Sequence, residues 1–214
     1  MRSRKDKIYI AISLIISVIP LILGMYFYNV IPDRVPVHFN FNGVPDSYAS
    51  KNIGLFLPQF VMILVLVLMI MCLKLDPKSD NHASSMIHVL YLFIPTISLV
   101  LSIIIIRYCL GYTVDVGIVI VRVIFVFFLI IGNLLPKVKR NYTLGIKVPW
   151  TLDSDYNWNK THRFAGYLWT VLSLFVIVST FVSSSFYKYI TGLAILIIVF
   201  VPMLYSYLIY RKEA

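Results

Sequence analysis

Six apolar runs, each about long enough to cross a lipid bilayer, leave this chain few folds to choose from. They lie at roughly 8–28, 54–75, 86–106, 114–135, 164–184 and 189–210. A bilayer's hydrocarbon core is about 30 Å thick, and a helix rising about 1.5 Å per residue needs about 20 residues to span it. No water inside that core can satisfy backbone N–H and C=O groups, so such runs fold as transmembrane α-helices. Composition agrees: of 214 residues 60% are hydrophobic and 13% charged, about half the charge of a soluble domain. The expected fold class is all-α, a polytopic membrane helical bundle of about six transmembrane helices.

Charge placement gives the orientation. The net charge of +10 would suit a nucleic-acid binder, but the basic residues sit between the apolar runs, and no direct contact with nucleic acid is expected. With the N-terminus inside, 14 Lys and Arg fall on inner segments, four on outer segments (Arg34, Lys51, Arg107, Lys188), and Arg122 falls within a span. That asymmetry places both termini in the cytoplasm. The opening MRSRKDK followed by an apolar run has the outline of a signal peptide. The run is too long for one and no small-residue cleavage site follows, so it reads as a retained first span. Cys72 and Cys109 fall near opposite ends of different spans, and no disulfide, metal cluster or cofactor is expected.

The first outer loop, 29–53, is expected to be ordered. Its core, IPDRVPVHFNFNGVPDSYASK, has three prolines and an Asn42-Gly43 turn dipeptide. Val35, Val37, Phe39 and Phe41 alternate with Pro36, His38, Asn40 and Asn42, the period of a strand with one apolar face. His38 and Asp46 read either as turn-forming, hydrogen-bonded residues or as a recognition surface for something arriving from outside. The inner connector LDPKSDNHAS reads as an ordinary loop, with His82 solvated and without a role.

Span four carries the two most expensive charges. Asp115 is at its outer end and Arg122 follows seven residues later on the same face, too far for a comfortable bridge along one helix. Arg122 therefore reaches the outer interface or bonds another helix, as a structural clamp or as a ligand contact. In span five Thr170, Ser173, Ser179 and Thr180 offer interhelical hydrogen bonds, and in span six Gly192 and Pro202 permit close approach and a bend.

The longest polar interval, Gly132 to Arg163, separates spans four and five and holds six Lys and Arg. Gly132 and Asn133 allow close packing and a polar helix end, Pro136 stops the helix, and Asn141 to Gly145 has the residues of a turn. Trp150 suits the membrane interface. Thr151 or Ser154 caps a short helix over about 155–163 that runs into span five, on which Trp158 and His162 share a side. The loop reads either as an amphipathic re-entry that joins the spans or as a surface for a cytoplasmic partner or lipid. No nucleophile triad, metalloprotease motif or phosphate loop appears, so the chain does not read as an enzyme.

These residues resemble a known family. Gly132-Asn133, Pro136-Lys137, Asn141, Gly145-Ile146, Pro149-Trp150-Thr151, Trp158, Thr161-His162-Arg163 and Gly166 resemble the signature of the SdpI immunity family. Pro32, Val35-Pro36, His38, Asn42-Gly43 and Pro45-Asp46 resemble the domain of unknown function that often precedes it. The resemblance implies a two-span N-terminal unit, 1–75, and a four-span immunity-type unit, 76–214, with a cytoplasmic loop 136–163. It implies a multi-pass protein of the bacterial cell membrane that confers resistance to a secreted, membrane-active peptide toxin. It also implies that the toxin-bound protein sequesters a cytoplasmic transcriptional repressor. On this reading His38, Asn42, Asp46, Asp115 and Arg122 serve the toxin side, and Lys137, Lys139, Arg140, Lys147 and Arg163 the cytoplasmic partner. Asn133, Asn141, Pro149, Trp150, Thr151, Trp158, Thr161 and His162 organise the loop. Lys147-Val148 stands where the family commonly has Arg-Thr, which keeps a charge but loses the planar fork. The alternative is a small transporter or channel using Asp115 and Arg122.

Overall fold

The computed structural model describes residues 4–40, 43–182 and 186–213. Asn42 and Ser183 to Ser185 lie outside the described residues. In chain order the elements are α1 (Arg4–Phe27), β1 (Arg34–Phe39), β2 (Pro45–Ser50), α2 (Lys51–Leu75), α3 (Ser84–Cys109), α4 (Val116–Leu134), α5 (Pro149–Asp153), α6 (Asp155–Ser179) and α7 (Phe186–Glu213). Among the described residues six helices are long and apolar enough to cross a membrane, all but α5. Proline stands inside four of them, at Pro20, Pro58, Pro95 and Pro202, which bundles tolerate because neighbouring groups re-satisfy the freed carbonyls. The helix expected over 155–163 runs into span five: α6 is continuous from Asp155 to Ser179.

The chain forms two compact units, neither a single stretch of sequence: Met1–Ile70 with Leu90–Ile120, and Met71–Val89 with Val121–Ala214. In the first, Ile31, Val35, Leu55, Ile105 and Ile106 form a buried cluster bordered by Leu23, Phe27 and Phe56. The outer loop is an antiparallel hairpin of β1 and β2. Its tip closes through Gly43 N–H to the Asn40 carbonyl, 2.9 Å, with Gly43 at a φ of +74°, a conformation glycine adopts at little cost. The simple alternation read from the sequence is broken. Pro36 pairs with Tyr48 and His38 with Ser47, so Val37 is skipped and lies exposed. Pro36 has no N–H for a ladder, and a bulge beside it is the physical consequence.

Val35 is fully buried and fixes the hairpin to α2. A Cβ on Gly54 would lie 2.2 Å from Val35 Cγ2, so only glycine lets the strand approach this closely. Asp33 ties the same corner twice: its carbonyl accepts from Lys51 N–H at 2.8 Å, and its carboxylate pairs with Lys51 Nζ at 3.0 Å. Buried Gln59 of α2 accepts a hydrogen bond from Ser98 of α3, a polar contact of the kind that joins helices in lipid.

In the second unit Phe125, Val176, Ala194 and Ile198 form the core of α4, α6 and α7. Gly132 and Gly166 are a facing pair: a Cβ on Gly166 would lie 2.7 Å from the Gly132 carbonyl oxygen. Two small residues thus allow α4 and α6 to touch backbone to backbone. Asn157 of α6 clamps α7, donating to the Ser206 carbonyl at 2.9 Å and accepting from the Ser206 hydroxyl at 2.8 Å. Two expectations are corrected. Thr170 and Ser179 bond carbonyls of their own helix, leaving Thr180 as the span-five residue that receives a bond from another helix. A hydroxyl within reach of its own i−4 or i−3 carbonyl takes that nearer acceptor. Gly192 has open space around it, so it mediates no close approach.

The Val35–Gly54 contact yields a test. Gly54→Ala is expected to destabilise the first unit by about 1–3 kcal/mol through overpacking. Combined with Val35→Ala, the loss in thermal stability should be smaller than the sum of the single losses, because the shortened side chain vacates the clash.

Candidate functional site

The inner loop between α4 and α6 is folded around buried polar side chains. Asn141 is completely buried. Its Oδ1 accepts from the N–H groups of Thr143, 2.9 Å, and Leu144, 2.6 Å, and its Nδ2 donates to the Lys139 carbonyl at 2.8 Å. This Asx turn leads to Gly145, whose φ of +111° is closed to most residues. A Cβ there would lie 2.3 Å from His162 Nε2. His162 has both ring nitrogens engaged: Nε2 accepts from Ile146 N–H at 2.9 Å and Nδ1 donates to the Trp158 carbonyl at 2.8 Å. That pattern defines the neutral, Nδ1-protonated tautomer. Trp158 is fully buried, stacks on His162 at 4.0 Å, and donates its indole N–H to the Val138 carbonyl at 2.8 Å.

The short α5 is set by its first residues. Pro149 occupies its first turn, where no N–H is missed, and the Thr151 hydroxyl accepts from Val148 N–H at 3.0 Å. Ser154 then caps α6, accepting from Asn157 N–H at 3.1 Å. Arg140 joins these pieces. Its Nη1 donates to the carbonyls of Leu152, 2.7 Å, and Asp153, 2.8 Å, while Nε meets Asp155 Oδ1 at 2.7 Å. One guanidinium thereby satisfies carbonyls at the end of α5 and a carboxylate at the start of α6. Trp150 packs against Tyr207 and Tyr210 of α7, with centroids 5.5 and 6.0 Å away.

The residue that sequence reasoning missed is Asp76. It is buried, and its carboxylate accepts from Lys78 N–H at 2.8 Å, His82 Nε2 at 2.9 Å, Tyr142 N–H at 3.1 Å and the Thr143 hydroxyl at 2.6 Å. It binds the connector after α2 to the turn at Asn141, beside a bond from Asn81 Nδ2 to the Arg140 carbonyl. His82 is therefore buried rather than solvated. Burial alone would raise the Asp76 pKa, but the Thr143 hydroxyl, the Lys78 amide and His82 outweigh it and bring it from 3.8 down to about 2. Asp-Pro in a polar connector looks like plain turn chemistry, and two of its partners, Tyr142 and Thr143, lie more than 60 residues away.

The remaining named residues divide by what they touch. Lys137 and Lys139 are exposed, as is Arg163. Lys147 is also exposed and donates to the Tyr142 carbonyl at 3.0 Å, a single point contact. Thr161 donates to Asn157 Oδ1 at 3.0 Å, which ties it to the α6–α7 clamp. Asn133 is exposed at the end of α4. On the outer hairpin His38 Nδ1 and Asp46 Oδ1 are 2.5 Å apart with both side chains largely open to solvent. Asp115 is an N-cap, accepting from Ile118 N–H at 2.9 Å. Arg122 bonds the end of α6 through Nε to the Thr180 hydroxyl, 2.8 Å, and lies over the Phe181 ring at 3.9 Å. The helix-bonding option for Arg122 is the one adopted.

Fold and polar elements together define a small multi-pass membrane protein with an ordered outer hairpin and a folded, cation-rich inner loop. By sequence it is similar to SdpI-type proteins: residues 137–206 match the SdpI/YfhL protein family, and residues 15–63 match a domain of unknown function, DUF1648. The chain is 27% identical over 207 residues to "Immunity protein SdpI" of Bacillus subtilis (strain 168), covering 94% of this chain and 95% of that protein. No solved structure matches.

Asp76 generates a pH prediction. A carboxyl whose pKa is lowered on folding stabilises above its unfolded value, and that stability is lost as pH falls toward the folded value. The Asp76 contribution should thus be full above about pH 4 and disappear between about pH 4 and 2. Asp76→Asn should lower stability at pH 7 by about 2 kcal/mol and flatten the acid limb of a Tm-against-pH curve relative to wild type.

Proposed function

We propose that the protein confers immunity on a bacterial cell against a secreted, membrane-active peptide toxin. The observation that carries this reading is the end-to-end likeness to Immunity protein SdpI, which spans both the hairpin and the inner loop. A peptide arriving from outside first meets the outer face, where the hairpin offers the exposed His38–Asp46 pair on a backbone held by Val35 and Lys51. Rigid presentation lowers the ordering cost of binding. Imidazole and carboxylate side by side supply a donor and an acceptor, which suits a peptide's backbone and side-chain amides.

The same reading extends inward. Lys137, Lys139 and Lys147 present exposed positive charge on a loop whose shape is fixed from within. Such a surface suits an acidic face of a cytoplasmic repressor, held at the membrane when toxin occupies the outer side. Arg140 serves this surface by holding the loop, its guanidinium being engaged by Leu152, Asp153 and Asp155.

Survival of a sensitive bacterium under toxin peptide of the sporulation-delaying class checks the proposal. Wild type should protect. His38→Ala and Asp46→Ala, matched for membrane abundance, should each lower the tolerated dose about tenfold if the pair contributes an ordinary binding hot spot. Lys137→Gln/Lys139→Gln should leave protection intact while reducing recruitment of the repressor. Undiminished protection in both hairpin variants would remove His38 and Asp46 from the toxin side, and a wild type that protects against no such peptide would overturn the immunity reading.

A further inference from the structure

A groove of about 390 Å³ opens on the inner part of α6, lined by Tyr156, Lys160, Arg163 and Tyr167 together with Phe164 and Tyr205. The four α6 residues follow each other at spacings of four, three and four, which puts them on one stripe of the helix. Phe164 stacks on Tyr205 of α7 at 4.4 Å and forms the apolar wall. Asn159 adds an amide at the rim. No acidic residue lines the groove. Among the described residues the Arg163 side chain makes no ion pair or hydrogen bond, and the Lys160 side chain has only a ring contact, 5.4 Å from the Tyr156 centroid. This differs from Arg140, whose guanidinium is fully engaged.

Two unneutralised cations about one helical turn apart, flanked by tyrosine side chains, suit a phosphate-bearing anion. They stand in the first turns of a helix of membrane-spanning length, on its positively charged side. Aromatic residues at that depth belong to the headgroup zone, and basic pockets between helices there hold anionic headgroups. We propose that this groove binds the headgroup of an anionic phospholipid of the inner leaflet, with Lys160 and Arg163 on the phosphate and Phe164 and Tyr205 against the acyl start. The lipid would then hold α6 to α7 at the level where the inner loop leaves the membrane. The inference is independent of the immunity reading.

The test is thermal unfolding of the purified full chain in mild detergent, titrated with phosphatidylglycerol, phosphatidylcholine or inorganic phosphate. Phosphatidylglycerol should raise Tm of wild type. Lys160→Gln/Arg163→Gln should need about thirtyfold more lipid for the same rise, while Lys160→Arg/Arg163→Lys keeps the response and shows that the site tolerates substitution. The wild-type response should weaken with added salt. An equal response in the Gln variant would overturn the proposal. So would equal stabilisation by phosphatidylcholine or by inorganic phosphate, or a wild type indifferent to every lipid, which would leave these cations to a cytoplasmic protein.

Discussion

The second unit depends on one constraint: a loop wedged between membrane helices must satisfy its own backbone. Its inner side chains are buried from water, and an unpaired buried N–H or carbonyl costs about 1–3 kcal/mol. The loop meets the demand with side chains in place of secondary structure. Asn141, Asp76, His162 and Thr151 accept from the amides of Leu144, Tyr142, Ile146 and Val148. Each of these side chains is buried, and each has a geometry that a substitute of similar size would not reproduce. Gly145 follows from the same constraint, since the imidazole occupies the space of a Cβ.

This explains why the stretch that resembles the SdpI/YfhL family is polar where most of the chain is lipid-soluble. Its residues are chiefly the tie points of a small fold. Among the described residues, the exposed cations that those ties leave without a side-chain hydrogen bond or ion pair are Lys137, Lys139 and the Lys160–Arg163 pair, while Lys147 donates to the Tyr142 carbonyl. The outer hairpin obeys a parallel logic. Val35 against Gly54 and Asp33 with Lys51 fix its base, and His38 with Asp46 is left open to solvent.

Much of the fold was legible in the sequence because length and hydropathy decide it. The six spans, the ordered outer loop, the turn at Gly43 and the stacked Trp158 and His162 all follow from local pattern. What was not legible depends on contacts distant in sequence. Asp76 looked like a turn residue and His82 like a solvated one, since nothing local announces partners at Tyr142 and Thr143. Gly54 sat unnoticed in an apolar run, because close approach is a property of the strand that packs there. Asp115 and Arg122 drew attention as intramembrane charges, and the structure gives them an N-cap and a bond to α6. Periodicity also failed at Val37, where the missing N–H of Pro36 shifts the register.

The central claim is that the inner loop is a rigid fold held by buried side chains rather than a flexible cationic tether. Amide hydrogen exchange over residues 137–163 in a reconstituted membrane measures this directly. The account predicts that the Tyr142, Leu144, Ile146 and Val148 amides exchange slowly in the wild type and that Asn141→Ala releases Thr143 and Leu144 first. Exchange of all these amides at the rate of an unstructured peptide in the wild type would contradict it.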